Sequence, residues 1–158
     1  MNIGVISDTH GLLRPEALDA LRGSDHILHA GDIGDSEILS ALKAIAPLTA
    51  VRGNNDDGAW AEGIAEREQL ALDGVRIRVL HDLKELEDAS GCDVVVAGHS
   101  HKPLIEWRGE VLYLNPGSAG PRRFSLPVCV AQLVIADGSV DARIIELDVP
   151  PPKRKRKQ

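Results

Sequence analysis

Five short apolar runs in this 158-residue chain each stop at a small set of oxygen and imidazole side chains, and that repeated pattern restricts the folds open to it. NIGVIS is followed by Asp8-Thr9-His10, HILHAG by Asp32, LTAVRG by Asn54, VRIRVL by His81, and DVVVAG by His99-Ser100-His101. One polar residue after a strand is what any loop supplies. Five sets point to an open α/β sheet, in which loops from distant segments converge beyond the carboxyl ends of the strands. Carboxylates, an amide carbonyl and imidazoles form the mixed oxygen and nitrogen set that suits Mn, Fe, Zn, Co or Ni. An all-oxygen set would point to Ca or Mg instead.

The order of elements fits such a sheet. Residues 2–7 read as a buried strand, 15–22 as a helix opened by Pro15, 26–30 as a strand, 36–45 as a helix capped near Asp35 or Ser36, and 48–52 as a strand. This alternation implies parallel strands joined by right-handed crossovers. After residue 64 the pattern shifts toward sheet. Runs at 66–72 and 75–80 flank Asp73-Gly74, a favoured hairpin turn, and should pair antiparallel. A short helix is expected over 83–89, then strands at 93–97, 104–107, 111–114, 128–135 and 139–147. The expected fold is α/β, a two-sheet β-sandwich flanked by helices. It occupies 1–149 as one domain, with 150–158 a proline-led basic tail predicted to be disordered.

Composition excludes several functions. Aromatic residues are 3% of the chain, too few for base-stacking platforms. Cys92 and Cys129 lack metal-knuckle spacing and the density of a disulfide scaffold, so buried free thiols are expected. No apolar run approaches the length of a membrane span, and no leader precedes the first strand, which predicts a cytoplasmic enzyme. Net charge is −6, but Lys153 to Lys157 carry five of the 18 basic residues, leaving 13 against 24 acids elsewhere. The acidic body suits cations and is a poor surface for nucleic-acid phosphate, so any nucleic-acid contact falls to the tail. The sequence is compatible with a homo-oligomer and does not specify one.

With these residues assembled, the chain resembles the calcineurin-like metallophosphoesterase superfamily, and within it the small YfcE-type phosphodiesterases. The matching blocks are SDTHG at 7–11, HAGDIGD at 29–35, RGNND at 52–56, the lone His81, GHSHKP at 98–103 and NPGSAGPRR at 115–123. The resemblance implies a four-layer αββα fold. It also implies two divalent ions, manganese first among Mn, Ni, Fe, Zn and Co: Asp8, His10 and His101 would hold one, Asn54, His81 and His99 the other, and Asp32 would bridge them. A hydroxide between the metals would attack the phosphorus of a small-molecule phosphoester in line. Asn55, Asp56, Asn115 and Ser118 would support these ligands from behind. His26 and His29 are expected to be structural, and Gly31, Gly53, Gly98 and Gly117 to serve turns near the site. Arg52, Arg122 and Arg123 are candidates for phosphate contact, with surface positions the simpler reading.

Two departures bear on activity. Many superfamily members have His where this chain has Asn55, and an amide cannot act as a general acid near neutral pH. Relatives often read His-Gly-His where this chain has His81-Asp82-Leu83. A phosphodiesterase favouring good leaving groups is therefore expected. The alternatives are a non-catalytic or weakly catalytic interaction scaffold, as in the retromer subunit that shares this fold, and nucleic-acid processing tethered by the tail.

Overall fold

The computed structural model describes residues 1–123 and 125–149, so the basic tail at 150–158 lies outside the described residues. In chain order the elements are β1 (Asn2–Ile6), α1 (Pro15–Leu21), β2 (His26–His29), α2 (Ser36–Lys43), β3 (Leu48–Ala50), β4 (Arg67–Leu72) and β5 (Val75–Leu80). They continue with β6 (Val94–Val96), β7 (Leu104–Arg108), β8 (Val111–Asn115), β9 (Cys129–Ala136) and β10 (Ser139–Glu146). Single 3-10 turns occur at Ala59–Ala61 and Leu83–Glu85. The strands form two five-stranded sheets, ordered β10-β9-β1-β2-β3 and β4-β5-β6-β8-β7.

Sequence chemistry accounts for the local choices. Pro15 opens α1 from the first helical position, where its missing N–H costs nothing. Asp35 caps α2 by accepting from the Glu37 N–H at 2.9 Å. In the β4–β5 hairpin Leu72 pairs with Val75, and Asp73 and Gly74 take φ of 49° and 81°. Two consecutive left-handed residues give the turn whose twist matches its strands. The parallel neighbours β1-β2-β3 are as the alternation requires. A second parallel set, β5-β6-β8, mirrors them in the other sheet.

The two sheets pack face to face. Ile3, Val5 and Leu28 meet Ile77, Val79 and Val96 in a core to which Leu133 and Ile135 of β9 also belong. Alternate residues of the first sheet, including Ile6 and Ile27, face outward and are covered by Leu21 of α1 and Leu42 of α2. The sandwich flanked by helices is thus as the sequence implies, but its far side is thinner. Over 83–89 the chain makes one 3-10 turn in place of the expected helix. Leu83 and Leu86 are the segment's only large apolar residues and sit three apart, the 3-10 spacing. Beyond them Asp88 folds back on Ser90, accepting from its N–H at 2.9 Å, which favours a turn over a continued helix. Both cysteines are buried and free. No helix among the described residues is long and apolar enough to cross a membrane.

The intersheet core should dominate stability. Ile77→Ala, fully buried there, is expected to cost about 2–5 kcal/mol in urea unfolding, and Leu70→Ala at its partly exposed margin clearly less.

Candidate metal centre

Loops leaving β1 and β2 keep pairing after the strands end. The Asp8 N–H donates to Gly31 O at 3.0 Å and the His10 N–H to Asp32 O at 2.9 Å, so Asp8, His10 and Asp32 emerge side by side. In the second sheet the Gly98 N–H donates to His81 O at 2.9 Å, which sets His99 beside His81. Among the described residues seven non-glycines have left-handed backbone, and five of them are Asp8, His10, Asp32, His99 and His101, with φ of 57°, 47°, 54°, 72° and 63°. Such backbone costs roughly 1–2 kcal/mol per residue. Here it breaks the strand alternation that would send neighbouring side chains to opposite faces.

The side chains meet at the seam between the sheets. Asp8, His10 and His101 bring one donor atom each within 4.8 Å of one another, and Asp32, His81 and His99 do the same. The two groups abut. Asp32 Oδ2 lies 3.2 Å from His81 Nε2 and 3.7 Å from His10 Nε2, so it faces both. Asp8 Oδ1 lies 3.5 Å from His101 Nε2, 3.8 Å from His10 Nε2 and 3.9 Å from His81 Nε2. Asn54 is exposed and lines a cavity of about 300 Å³ shared with His81 and His99.

Burial and hydrogen bonds set the charges. Asp8 is completely buried, which raises its carboxyl above the usual range. Its Oδ2 accepts from the Ser7 hydroxyl at 2.8 Å and the His99 N–H at 3.1 Å, whereas Oδ1 is buried with no hydrogen-bond partner. Burial acts to raise Asp32 too. Hydrogen bonds from His81 and the Asn55 N–H outweigh it, and this carboxyl ends well below the usual range. Burial works against protonation of His81, but Asp32, the Ala30 carbonyl and the Asp8 charge lift it to about 8. Burial, then the charges of Arg123 and His10, push His101 down to about 4.

The supporting residues have defined contacts. His81 Nδ1 donates to Ala30 O at 2.7 Å, which turns Nε2 toward both carboxylates. Asn55 donates twice to Asp32, from its N–H to Oδ1 at 2.9 Å and from Nδ2 to Oδ2 at 3.1 Å. Asp56 accepts from the N–H groups of Ile33, Gly34 and Gly53, tying the Asp32 loop to the Asn54 loop. Asn115 donates to Gly98 O and Ser100 Oγ, and Ser118 donates to Asp8 O, each at 3.1 Å. Gly31 serves a turn at φ 99°. Gly98 serves close approach instead, since a Cβ there would overlap Ser7 Oγ and lie 2.8 Å from Asp8 Oδ2.

A buried acceptor without a donor costs about 1–3 kcal/mol. Asp8 Oδ1 is such an acceptor, set among three imidazole nitrogens, and a cation is the partner this donor set fits. Comparison with known proteins agrees with that chemistry. The family model described as the calcineurin-like phosphoesterase superfamily domain matches residues 1–138. The chain belongs to this superfamily. A probable metallophosphoesterase of Methanothermobacter thermautotrophicus is 36% identical over 95% of each chain. Phosphodiesterase YfcE of Escherichia coli is 28% identical over 75% of this chain and 79% of its own. The solved structure of the E. coli phosphoesterase aligns with a TM-score of 0.69 at 25% identity, covering 94% of this chain and 100% of that one. Vps29 of Entamoeba histolytica, crystallised with Zn²⁺, shares the fold with a TM-score of 0.70 at 24% identity, covering 92% and 99%.

Within this phosphoesterase domain some residues singled out by sequence take other partners. Arg52 pairs with Glu66 at 3.0 Å, both lining the cavity shared by Asn54, His81 and His99, whereas Arg122 donates to Val149 O at 3.3 Å. Sequence reasoning gave Ser7 and Thr9 no role of their own. Thr9 joins a buried chain in which the Gly31 N–H donates to His29 Nδ1, His29 Nε2 then donates to Thr9 Oγ1, and the Thr9 hydroxyl donates to Ile33 O. His29 is structural, as expected from its apolar strand.

Complete burial depresses His29 from 6.5 to about 3, so between those values the unfolded chain binds the extra proton. Its contribution to stability is whole above pH 6.5 and is lost as pH falls toward 3. Urea midpoints should therefore drop across this window, and the His29 ring proton should hold its neutral NMR shift down to about pH 5. Titration of that ring near 6.5 would refute the hydrogen-bond chain.

Proposed function

We propose that this domain is a phosphodiesterase working with two divalent transition-metal ions, manganese first among the candidates. The observation that carries the reading is the pair of abutting donor clusters, with Asp8 Oδ1 buried, unpartnered and facing His10, His81 and His101. Asp8, His10 and His101 would hold one ion, His81, His99 and the exposed Asn54 the other, and Asp32 would serve both. Bound there, the ions would supply Lewis-acid charge and activate a water for in-line attack on phosphorus.

The protein's own part is orientation. Ser7 and the His99 N–H engage one Asp8 oxygen and leave the other exposed to the imidazoles. Asn55 directs both of its donors to Asp32. That fixes the carboxylate and leaves the leaving-group side without a side-chain acid from this position. The reading as a phosphodiesterase is supported by the metallophosphoesterase and phosphodiesterase relatives; the preference for good leaving groups rests on the missing acid. The scaffold alternative draws on the Vps29 likeness, which extends to the fold, and the complete donor set favours catalysis over it.

Elemental analysis should find up to two transition-metal ions per chain, and Asp8→Asn should lose both metal and at least about 100-fold in turnover. Unchanged activity in that variant would exclude this centre. Rates should rank aryl above alkyl phosphodiesters, and equal rates would overturn the argument from Asn55. Asn55→Ala should weaken metal binding about 10-fold or more in calorimetry, by releasing Asp32.

A further inference from the structure

The thin cover on the second sheet leaves a cavity. Beside the single 3-10 turn at Leu83–Glu85, the outer face of β6 and β8 opens into a space of about 850 Å³, within the roughly 300–1,000 Å³ typical of small-molecule sites. Its wall is apolar, with Val95, Ala97 and Tyr113 from the sheet side, Leu83 from the turn and Leu104 at the start of β7. Val95 and Tyr113 are register partners on adjacent strands, so their side chains share one face.

Charge and position give this space a direction. His99 of the candidate metal centre lines it, so it adjoins that centre. Lys84, Lys102 and Arg123 also line it, against the single carboxylate of Asp82, which lies 3.8 Å from His99 Nε2. Among the described residues none of these three cations is held in an ion pair. The smaller cavity of about 300 Å³ also reaches His99 and Asp82, and its carboxylates, Asp82, Glu66 and Glu85, outnumber Arg52, which is paired with Glu66, so it is acidic on balance. Two spaces of different size and opposite charge therefore meet at His99.

Resting on the reading of the centre as a phosphodiesterase, we propose that the larger cavity receives one ester group of the substrate, a flat apolar moiety such as an aryl ring that bears its own negative charge. The sheet face supplies apolar area for the ring, and the three cations attract the charge. The acidic cavity repels the same group, so the two ester positions are not equivalent. The substrate class is an unsymmetrical phosphodiester with one large anionic arm and one small polar arm.

The test uses the manganese-loaded 158-residue chain and three diesters with a common 4-nitrophenyl leaving group. Their second ester group is methyl, 2-naphthyl or 6-carboxy-2-naphthyl. The ratio kcat/KM should rise about 10-fold or more from methyl to carboxynaphthyl, chiefly through KM. Charge reversal at two exposed positions, Lys84→Glu with Lys102→Glu, should reduce the preference for carboxynaphthyl over naphthyl at least about fivefold, with an unchanged circular dichroism spectrum. In parallel, 2-naphthoate titrated calorimetrically into metal-free protein should bind at one site and weaken to the same degree in the double variant. Flat selectivity across the series, or naphthoate binding equally to both proteins, overturns the inference and leaves the metal centre standing. No turnover of any ester, with naphthoate binding still lost in the double variant, refutes the phosphodiesterase reading and upholds the cavity as an anionic-aryl site.

Discussion

A carboxylate taken wholly out of water, with only one of its two oxygens hydrogen-bonded, organises this molecule. Asp8 sits where β1 ends, under the 115–120 segment and against the loop that carries His99. Desolvation alone would make it a poor anion. Its neighbours work against that, with a hydroxyl and an amide on Oδ2 and three imidazole nitrogens within 4 Å of Oδ1. Asp32 has the reverse arrangement, less buried and better hydrogen-bonded, and so remains ionised to lower pH. Two carboxylates of one type thus differ in character because of where each strand places them.

Much of this was legible in the sequence. The strand-end clusters at Asp8, Asp32, His81 and His99 identified the sheet edge, and alternation identified the two layers. What sequence could not reveal was conformational. Left-handed backbone at five candidate ligands follows from tertiary pairing of the loops, although Asp and His tolerate that region better than most residues. Asn55 is expected from sequence both to lack the acid and to support a ligand, but that Asp32 is the ligand it holds, by two hydrogen bonds, is visible only in three dimensions. The helix expected over 83–89 failed because two leucines three apart fit a single tight turn, and a local Asp88–Ser90 contact competes with helix continuation. That failure matters, since the thinly covered sheet face beside it forms the wall of the large cavity.

Close approach of backbone is the second device that shapes the centre. Gly98 has ordinary φ, yet any side chain there would strike Ser7 and Asp8, and a Cβ at Gly31 would lie 2.7 Å from His81 Nδ1. Donor positions are therefore held partly by side chains that are missing. Such positions resist substitution for steric reasons that a hydropathy pattern does not record.

The first sheet draws its strands from both ends of the domain, with β9 hydrogen-bonded to β1 and the 115–120 segment closing over Asp8. During synthesis Asp8, His10 and Asp32 leave the ribosome roughly a hundred residues before the strand that flanks them. All seven candidate donors are present by His101, yet the framework around them is incomplete until Cys129–Ala136 has docked. Assembly of the centre thus waits on a strand distant in sequence, and its geometry reports closure of the whole sandwich.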